Sequence, residues 1–354
     1  MNNILEYAKN NLKTFKEMKF NEIDSLILSW ISYYHIHKNI TKQKTFSPIF
    51  LKDLYNAKYF EPMLFDVFDI KNSKLLITYL AANPRFMNIE IYYYVEQMSK
   101  SVEKQFSAMT FRLDKNIYYI AYRGTDHSFV GWKEDFNMAY KKSVPSQLEA
   151  VKYANKIFEN IKGKFYIGGH SKGGNLAVYA SSKIDKKYQN NIIQIHNFDG
   201  PGLNNELINT ESHKNIKNKI LKIVPQSSIV GMCFENTTDY QIIKSDGIGV
   251  LQHNPFTWNI KNNKFVNKNT TTKDSESFKK GINNLISNMS EKDIKDFINI
   301  LYSIINNTNE NTFDNLSKNF LKNIPVIFSG FNNLNSEQKK LLFKVAENFI
   351  KGSL

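Results

Sequence analysis

The run Gly168-Gly169-His170-Ser171-Lys172-Gly173-Gly174-Asn175-Leu176 limits what this chain can fold into more than any other stretch. It holds Gly169-x-Ser171-x-Gly173 with one further glycine on each side. The β-rich Lys164-Phe165-Tyr166-Ile167 precedes it, and the helix-forming Asn175-Leu176-Ala177-Val178-Tyr179-Ala180 follows. A strand, a glycine-flanked serine and a helix are the context of a nucleophile elbow. On so tight a turn, side chains two residues either side of the serine would collide, so glycines stand there. The following helix aims its N-terminal N–H groups and positive dipole end at the serine, which favours an oxyanion formed on attack. The competing reading is a glycine-rich strand-to-helix turn whose serine caps the helix.

A triad built on such an elbow runs in the order serine, acid, histidine. Two histidines downstream have informative surroundings. His196 lies within Ile192-Ile193-Gln194-Ile195-His196-Asn197-Phe198, a central-strand pattern in which it reports packing. His253 lies in Val250-Leu251-Gln252-His253-Asn254-Pro255-Phe256-Thr257-Trp258, a turn between strand-like segments from which a general base reaches the serine. For the acid, Asp199 in Phe198-Asp199-Gly200-Pro201-Gly202 ends the strand after the elbow helix and is expected at the same sheet edge as Ser171. Its alternative use is a bond to its own turn backbone. Asp246 in Lys244-Ser245-Asp246-Gly247 is the competitor, nearer His253 in sequence but reading as a hairpin-turn aspartate. Asp199 is the favoured acid and Asp246 the alternative.

Upstream, the buried-strand run Asn116-Ile117-Tyr118-Tyr119-Ile120-Ala121-Tyr122 ends in Arg123-Gly124-Thr125-Asp126. That turn is suited to supply one oxyanion donor through the Thr125 N–H, the other being the N–H of Lys172 just after the serine.

The pairing of Tyr122-Arg123-Gly124-Thr125 with Gly169-His170-Ser171-Lys172-Gly173-Gly174 resembles the class-three, fungal-type lipase branch of the α/β-hydrolases, above all a bacterial family of unassigned function within it. Asn21-Glu22-Ile23-Asp24, Gly131-Trp132-Lys133-Glu134-Asp135-Phe136, Phe198-Asp199-Gly200-Pro201-Gly202, Val224-Pro225-Gln226-Ser227-Ser228-Ile229-Val230-Gly231-Met232 and Gln252-His253 are similar to it too. The resemblance implies a serine-hydrolase core with Ser171 as nucleophile, His253 as base, and Thr125 with Lys172 at the oxyanion hole. One departure stands out. In fungal-type lipases the acid falls in a segment resembling Val224 to Met232, and here Ser228 occupies its place. Either the acid has moved to Asp199 at the preceding strand end, as in pancreatic-type lipases, or the site is degenerate.

The 354 residues are enough for an α/β-hydrolase core with an appendage, and 42% hydrophobic and 14% aromatic content is that of a globular chain. Strands alternating with helices predict a mostly parallel sheet covered on both faces. Residues 20–38 read as an amphipathic helix packed across that sheet, with Ile23, Leu26, Ile27, Trp30, Ile31 and Tyr34 in the stripe and Asp24 and Ser25 outside it. Ser146 to Glu149 reads as a capping box opening a helix to about Ile161. Lys261-Asn262-Asn263-Lys264 and Asn267 to Thr272 read as a polar, low-complexity link. It divides a hydrolase domain over residues 1–265 from a helical appendage over 275–354. The appendage carries apolar stripes at Ile294, Phe297, Ile298, Leu301 and Ile305, at Leu341, Leu342, Val345, Ala346 and Phe349, and at Phe313, Leu316, Phe320, Leu321 and Ile324 ahead of Pro325. A helical cap is the expected role, and a partner-binding or membrane-touching module the alternative.

A net charge of +14 raises anionic partners. Only Arg85, Arg112 and Arg123 are arginines, and the lysines are scattered, so the planar fork that reads phosphates and bases is scarce. Nucleic acid is therefore not an expected partner, while weak contact with an anionic membrane surface is. The single Cys233 rules out an intrachain disulfide. No run has signal-peptide or membrane-span length, so cytoplasmic residence is the expectation and leaderless export the alternative. His35 and His37 diverge at their spacing, and no Walker loop or G-x-G-x-x-G occurs, so no metal or cofactor is expected. The function expected is hydrolysis of carboxylic esters of lipid or lysolipid type. A non-catalytic binding or regulatory protein on a degenerate scaffold is the other reading, and acyl transfer or peptide hydrolysis by the same triad a third.

Overall fold

The structure is a computed structural model that describes residues 2–99, 101, 104–126, 129–138, 141–234, 239–308 and 320–353. The strands in chain order are β1 (Ile49–Phe50), β2 (Glu90–Ser99), β3 (Lys104–Asp114), β4 (Ile117–Tyr122), β5 (Lys164–His170), β6 (Ile192–Phe198), β7 (Ile220–Pro225), β8 (Gln241–Ile243), β9 (Ile260–Lys261), β10 (Lys264–Phe265) and β11 (Asn267–Lys268). Among the described residues, β1 to β8 and then β11 form one nine-stranded sheet in that order. Strands β4 to β8 are mutually parallel, each pair joined by a crossover. An antiparallel meander of β1 to β4 extends one side, and β11 runs antiparallel to β8 at the other edge. This is the α/β architecture expected from the alternation of strand and helix patterns.

Side chains on a strand point alternately to the two faces, and both faces here are apolar. On one face Met109, Phe111, Tyr119, Ala121, Phe198 and Ile223 pack with Ile23, Leu26, Ile27 and Trp30 of the helix Glu22–Ile31. On the other, Ala108, Ile120, Tyr122, Phe165, Ile167 and Ile195 pack with Ala150, Ala154, Ile157 and Phe158 of the helix Pro145–Asn160 and with Leu176, Ala177 and Ala180 of the helix Lys172–Lys183. Each fully buried Leu, Ile or Phe contributes roughly 1.5–3 kcal/mol relative to exposure.

The helix predicted over 20–38 packs across the sheet but stops at Ile31. Asp24 and Ser25 are not outside its buried stripe, since both are fully buried. Asp24 caps the helix by accepting from Asn21 N at 2.9 Å, and its carboxylate takes the Arg85 guanidinium at 2.5 and 2.7 Å and the Tyr7 hydroxyl at 3.0 Å. Asp24 enters this interior with partners for both its oxygens; removing one member of such a buried pair typically costs about 3–5 kcal/mol.

Two further local readings are corrected. Helix Pro145–Asn160 is not opened by a Ser146 capping box: Val144 is its cap residue, Pro145 fixes the first turn, and Gln147 Oε1 accepts from Val144 N at 3.0 Å. The stretch read as a polar link is also structured. β9 and β10 form a hairpin whose turn residues Asn262 and Asn263 both take positive φ, 53° and 58°. Asparagine tolerates that conformation, so the low-complexity composition encodes a tight turn.

Beyond Thr272 come the helices Lys273–Asn288, Glu291–Asn306, Phe320–Asn332 and Ser336–Ser353. Leu285, Met289, Ile294, Ile298 and Val345 form their own apolar cluster, with Phe297, Leu341 and Phe349 against it. Of the third predicted stripe, Phe313 and Leu316 lie outside the described residues, as do the side chains of Phe320 and Leu321; the helix continues through Pro325. Among the described residues no helix is long and apolar enough to cross a membrane.

Candidate active site

Because β4 to β7 are parallel and in register, their C-terminal ends open on one edge of the sheet. Tyr122 pairs with Gly169, His170 with Phe198, and Phe198 with Ile223. The segments beginning at Arg123, Ser171, Asp199 and Gln226 therefore leave the sheet side by side, where ligands bind open α/β sheets.

Ser171 sits between β5 and the helix Lys172–Lys183 with φ 59° and ψ −134°, a conformation that costs a non-glycine residue of order 1–3 kcal/mol. The surroundings enforce it. Ser171 N donates to Phe198 O at 2.9 Å, and Gly174 N to Ser171 O at 2.9 Å. A Cβ on Gly169 would run into the backbone of Gly173, and one on Gly173 into the carbonyl of Tyr122. Both glycines are thus required by close approach of backbone to backbone. Ser171 does not cap the helix through its side chain, so the capping alternative does not describe it.

Asp199 also takes positive φ, 51°, at the end of β6, held by Asp199 N donating to Ile223 O at 2.8 Å. Its carboxylate is fully buried, and Oδ2 lies 2.7 Å from His253 Nδ1. A carboxylate oxygen only accepts, so Nδ1 carries the proton and Nε2 is left as the basic nitrogen. His253 ends the short 3-10 turn Gly249–His253. The loop is anchored on both sides: Trp258 Nε1 donates to Gln252 O at 2.7 Å, and Asn254 Nδ2 to Asp69 Oδ2 at 2.9 Å.

Asp246 does not approach the histidine. Its Oδ2 accepts from Asn259 Nδ2 at 2.7 Å, and its N donates to Thr257 O at 2.9 Å. The bridge Ser245–Trp258 makes it a residue at the base of the loop carrying His253, rather than one in a tight hairpin turn. The long loop between its two ends is why proximity in sequence misleads. His196, as its strand pattern implied, is buried and stacked between Tyr166 and Phe198. Burial pushes its pKa down to about 3.

On the other side, Thr125 Oγ1 donates to Asp135 Oδ2 at 2.5 Å from the helix Phe129–Asn137. The Lys172 side chain is buried beneath the turn, with Nζ 3.1 Å from Glu134 Oε2 and 3.1 Å from Gln105 O. Glu134 in turn accepts from Gln105 N and Ser146 N. The sequence motif Gly131 to Phe136 thus supplies two carboxylates that fix the two turns bearing Thr125 and Lys172. Sequence spacing alone gave neither a role, because the contacts exist only once helix and sheet are packed.

His170 forms a second, unanticipated contact. Its Nε2 lies 2.8 Å from His253 O and must therefore donate, which leaves Nδ1 to accept the Tyr33 hydroxyl at 3.0 Å. Burial, with the neighbouring His253 charge added, holds His170 well below the ordinary histidine range. It remains a neutral clamp on the His253 backbone, with the two rings 4.4 Å apart.

Burial, partly offset by Lys172, pushes the Asp135 carboxyl up from 3.8 to about 6. The folded protein then binds more protons than the unfolded chain between those values, so this group's contribution falls as pH rises through that window. Asp135→Asn removes the penalty. At pH 8 the variant is expected to be more stable than wild type by about 3 kcal/mol, with the difference shrinking as pH falls from 6 towards 4. Denaturant melts across that range check it; a difference independent of pH would contradict the assignment.

The chain is similar to several solved lipases. M37 lipase is 17% identical, with 59% of this chain and 67% of that one covered and a TM-score of 0.36. The native propeptide complex of the Rhizomucor miehei lipase is 16% identical, with 48% and 66% covered and a TM-score of 0.33. A fungal lipase–inhibitor complex is 17% identical, with 44% and 65% covered and a TM-score of 0.31. The chain thus spans about two thirds of the length of each. No curated protein sequence matches it. Residues 80–303 match the Mbeg1-like family, a span that takes in more than half of the chain together with Ser171, Asp199 and His253, and the protein belongs to that family.

Proposed function

We propose that the protein is a serine hydrolase of carboxylic esters, and that lipid-like acyl esters are its substrate class. The observation that carries this reading is the 2.7 Å contact of Asp199 Oδ2 with His253 Nδ1 at the sheet edge that also bears the strained Ser171. Ser171 Oγ attacks the acyl carbon as His253 Nε2 takes its proton, and the N–H groups of Lys172 and Thr125 stabilise the resulting oxyanion. His253 then gives the proton to the departing alkoxide, which leaves as the alcohol, and a water repeats the sequence on the acyl-enzyme to release the acid. Asp199 holds the imidazole in the tautomer that keeps Nε2 basic. Asp135, by fixing the Thr125 hydroxyl, sets the turn that presents the Thr125 N–H.

An apolar acyl group is supported by Ile248, 83% exposed just before the turn that ends in His253, and Leu251, 54% exposed within it. With the +14 charge, the same turn supports contact with an anionic membrane surface. Hydrolysis of nitrophenyl esters of increasing acyl length tests the reading. Turnover above the uncatalysed rate, with kcat/KM rising from short to medium chains, is the expected result. A protein that hydrolyses none of them contradicts it.

A further inference from the structure

Both oxygens of the Asp199 carboxylate are engaged, and only one faces the histidine. Oδ2 meets His253 Nδ1, while Oδ1 accepts the Ser228 hydroxyl at 2.5 Å. Ser228 is 1% exposed and lies in the turn that follows β7, where Ser228 N donates to Pro225 O at 3.0 Å. The turn is held from two sides. Ser227 N donates to Gln252 Oε1 at 3.0 Å, next to His253. Ser275 Oγ, in the first turn of the helix Lys273–Asn288, donates to Ser228 O at 2.6 Å, and Thr272 N donates to Gln226 O at 2.8 Å. Gly231 leaves the space: a Cβ there would meet both Asp199 Oδ1 and Ser228 Oγ.

We propose that Ser228, held in turn by Ser275, is a positioning residue that locks the Asp199 carboxylate in the orientation presenting Oδ2 to His253. The proposal rests on reading Asp199 and His253 as the acid and base of the site. A carboxylate bonded at one oxygen alone can rotate about its Cβ–Cγ bond and turn its second oxygen away from or towards its partner. A hydroxyl donated to Oδ1 blocks that rotation, and a hydrogen bond to an ionised acceptor is shorter and stronger than a neutral one. The β6 and β7 ends therefore meet at a single buried bond with the carboxylate on the β6 side and the hydroxyl on the β7 side. Exchanging the two side chains keeps the bond and moves the charge by one strand.

The test compares ester turnover, KM and melting temperature for wild type, Ser228→Ala, Asp199→Ser and the exchange variant Asp199→Ser/Ser228→Asp. Ser228→Ala is expected to lower kcat roughly tenfold or more, with KM within about twofold of wild type, because only the transition state uses the aligned imidazole. The exchange variant is expected to recover at least about tenfold over Asp199→Ser, which a merely structural serine would not produce. Ser228→Ala at wild-type kcat overturns the proposal. If Ser228→Ala does not fold, the exchange variant decides, and failure to recover overturns it. A wild-type protein without esterase activity would instead count against the proposed function. The proposal is then read from the NMR resonance of the His253 Nδ1 proton, which must move in Ser228→Ala; an unmoved resonance overturns it.

Discussion

Replacing Ser171 by alanine is expected to lower turnover of a short-chain nitrophenyl ester by at least about two orders of magnitude without unfolding the protein. In the proposed reaction the hydroxyl is the attacking group, while the turn that carries it is held through other atoms: Ser171 N to Phe198 O, Gly174 N to Ser171 O, the mutual approach of Gly169, Gly173 and Tyr122, and Lys172 Nζ to Glu134. Alanine keeps all of these, so the melting temperature should change little. His253→Ala should cost about as much, and the double variant little more than either single one, since groups that act as a unit do not lose activity additively. Equal rates for wild type and Ser171→Ala would end the hydrolase reading. A double variant far slower than both single variants would separate His253 from Ser171.

Asp199→Asn is expected to cost roughly a hundredfold or more in kcat; in serine proteases the corresponding change lowers kcat about 10⁴-fold. The asparagine amide fills the same buried space, but its charge is gone and its NH₂ can only donate, so the imidazole tautomer with Nε2 basic loses its stabilising partner. Asp246→Asn is expected to cost under about tenfold, because Asp246 serves Asn259 and the base of the loop. Rates measured on the two variants at matched fold content check the pair. A large loss in Asp246→Asn with Asp199→Asn near wild type would reverse the assignment.

The elbow was legible in the sequence because its constraints are local. Gly169 and Gly173 approach each other across four residues, so part of the requirement for glycine is written beside the serine, although both also press against Tyr122 at the distant end of β4. The position of Asp199 was legible for a similar reason: a strand that follows the elbow helix in a parallel sheet must end beside the elbow strand. Its partner was harder to name, since His253 arrives on a long loop closed at Asp246 and Thr257, and nearness in sequence kept Asp246 as an alternative to the favoured Asp199. Contacts made only by packing left no local trace. Asp135 under Thr125, Glu134 under Lys172 and His170 against the His253 backbone each join separate elements across the sheet edge. The Asn-rich hairpin of β9 and β10 was missed because asparagine was read as solvent-loving filler rather than as a residue that accepts positive φ. Asp24 was misplaced because an apolar stripe cannot anticipate Arg85, 61 residues away, as its buried partner.

The central claim is that Ser171 is an activated nucleophile. The Oγ of such a serine attacks the phosphorus of a fluorophosphonate probe and displaces fluoride, so the wild-type protein should be labelled stoichiometrically, with the adduct mapped by mass spectrometry to the peptide containing Ser171. Labelling should vanish in Ser171→Ala and fall steeply in His253→Ala, which keeps the hydroxyl but loses its base. A wild-type protein that remains unlabelled, or an adduct mapped to any other serine, would contradict the account.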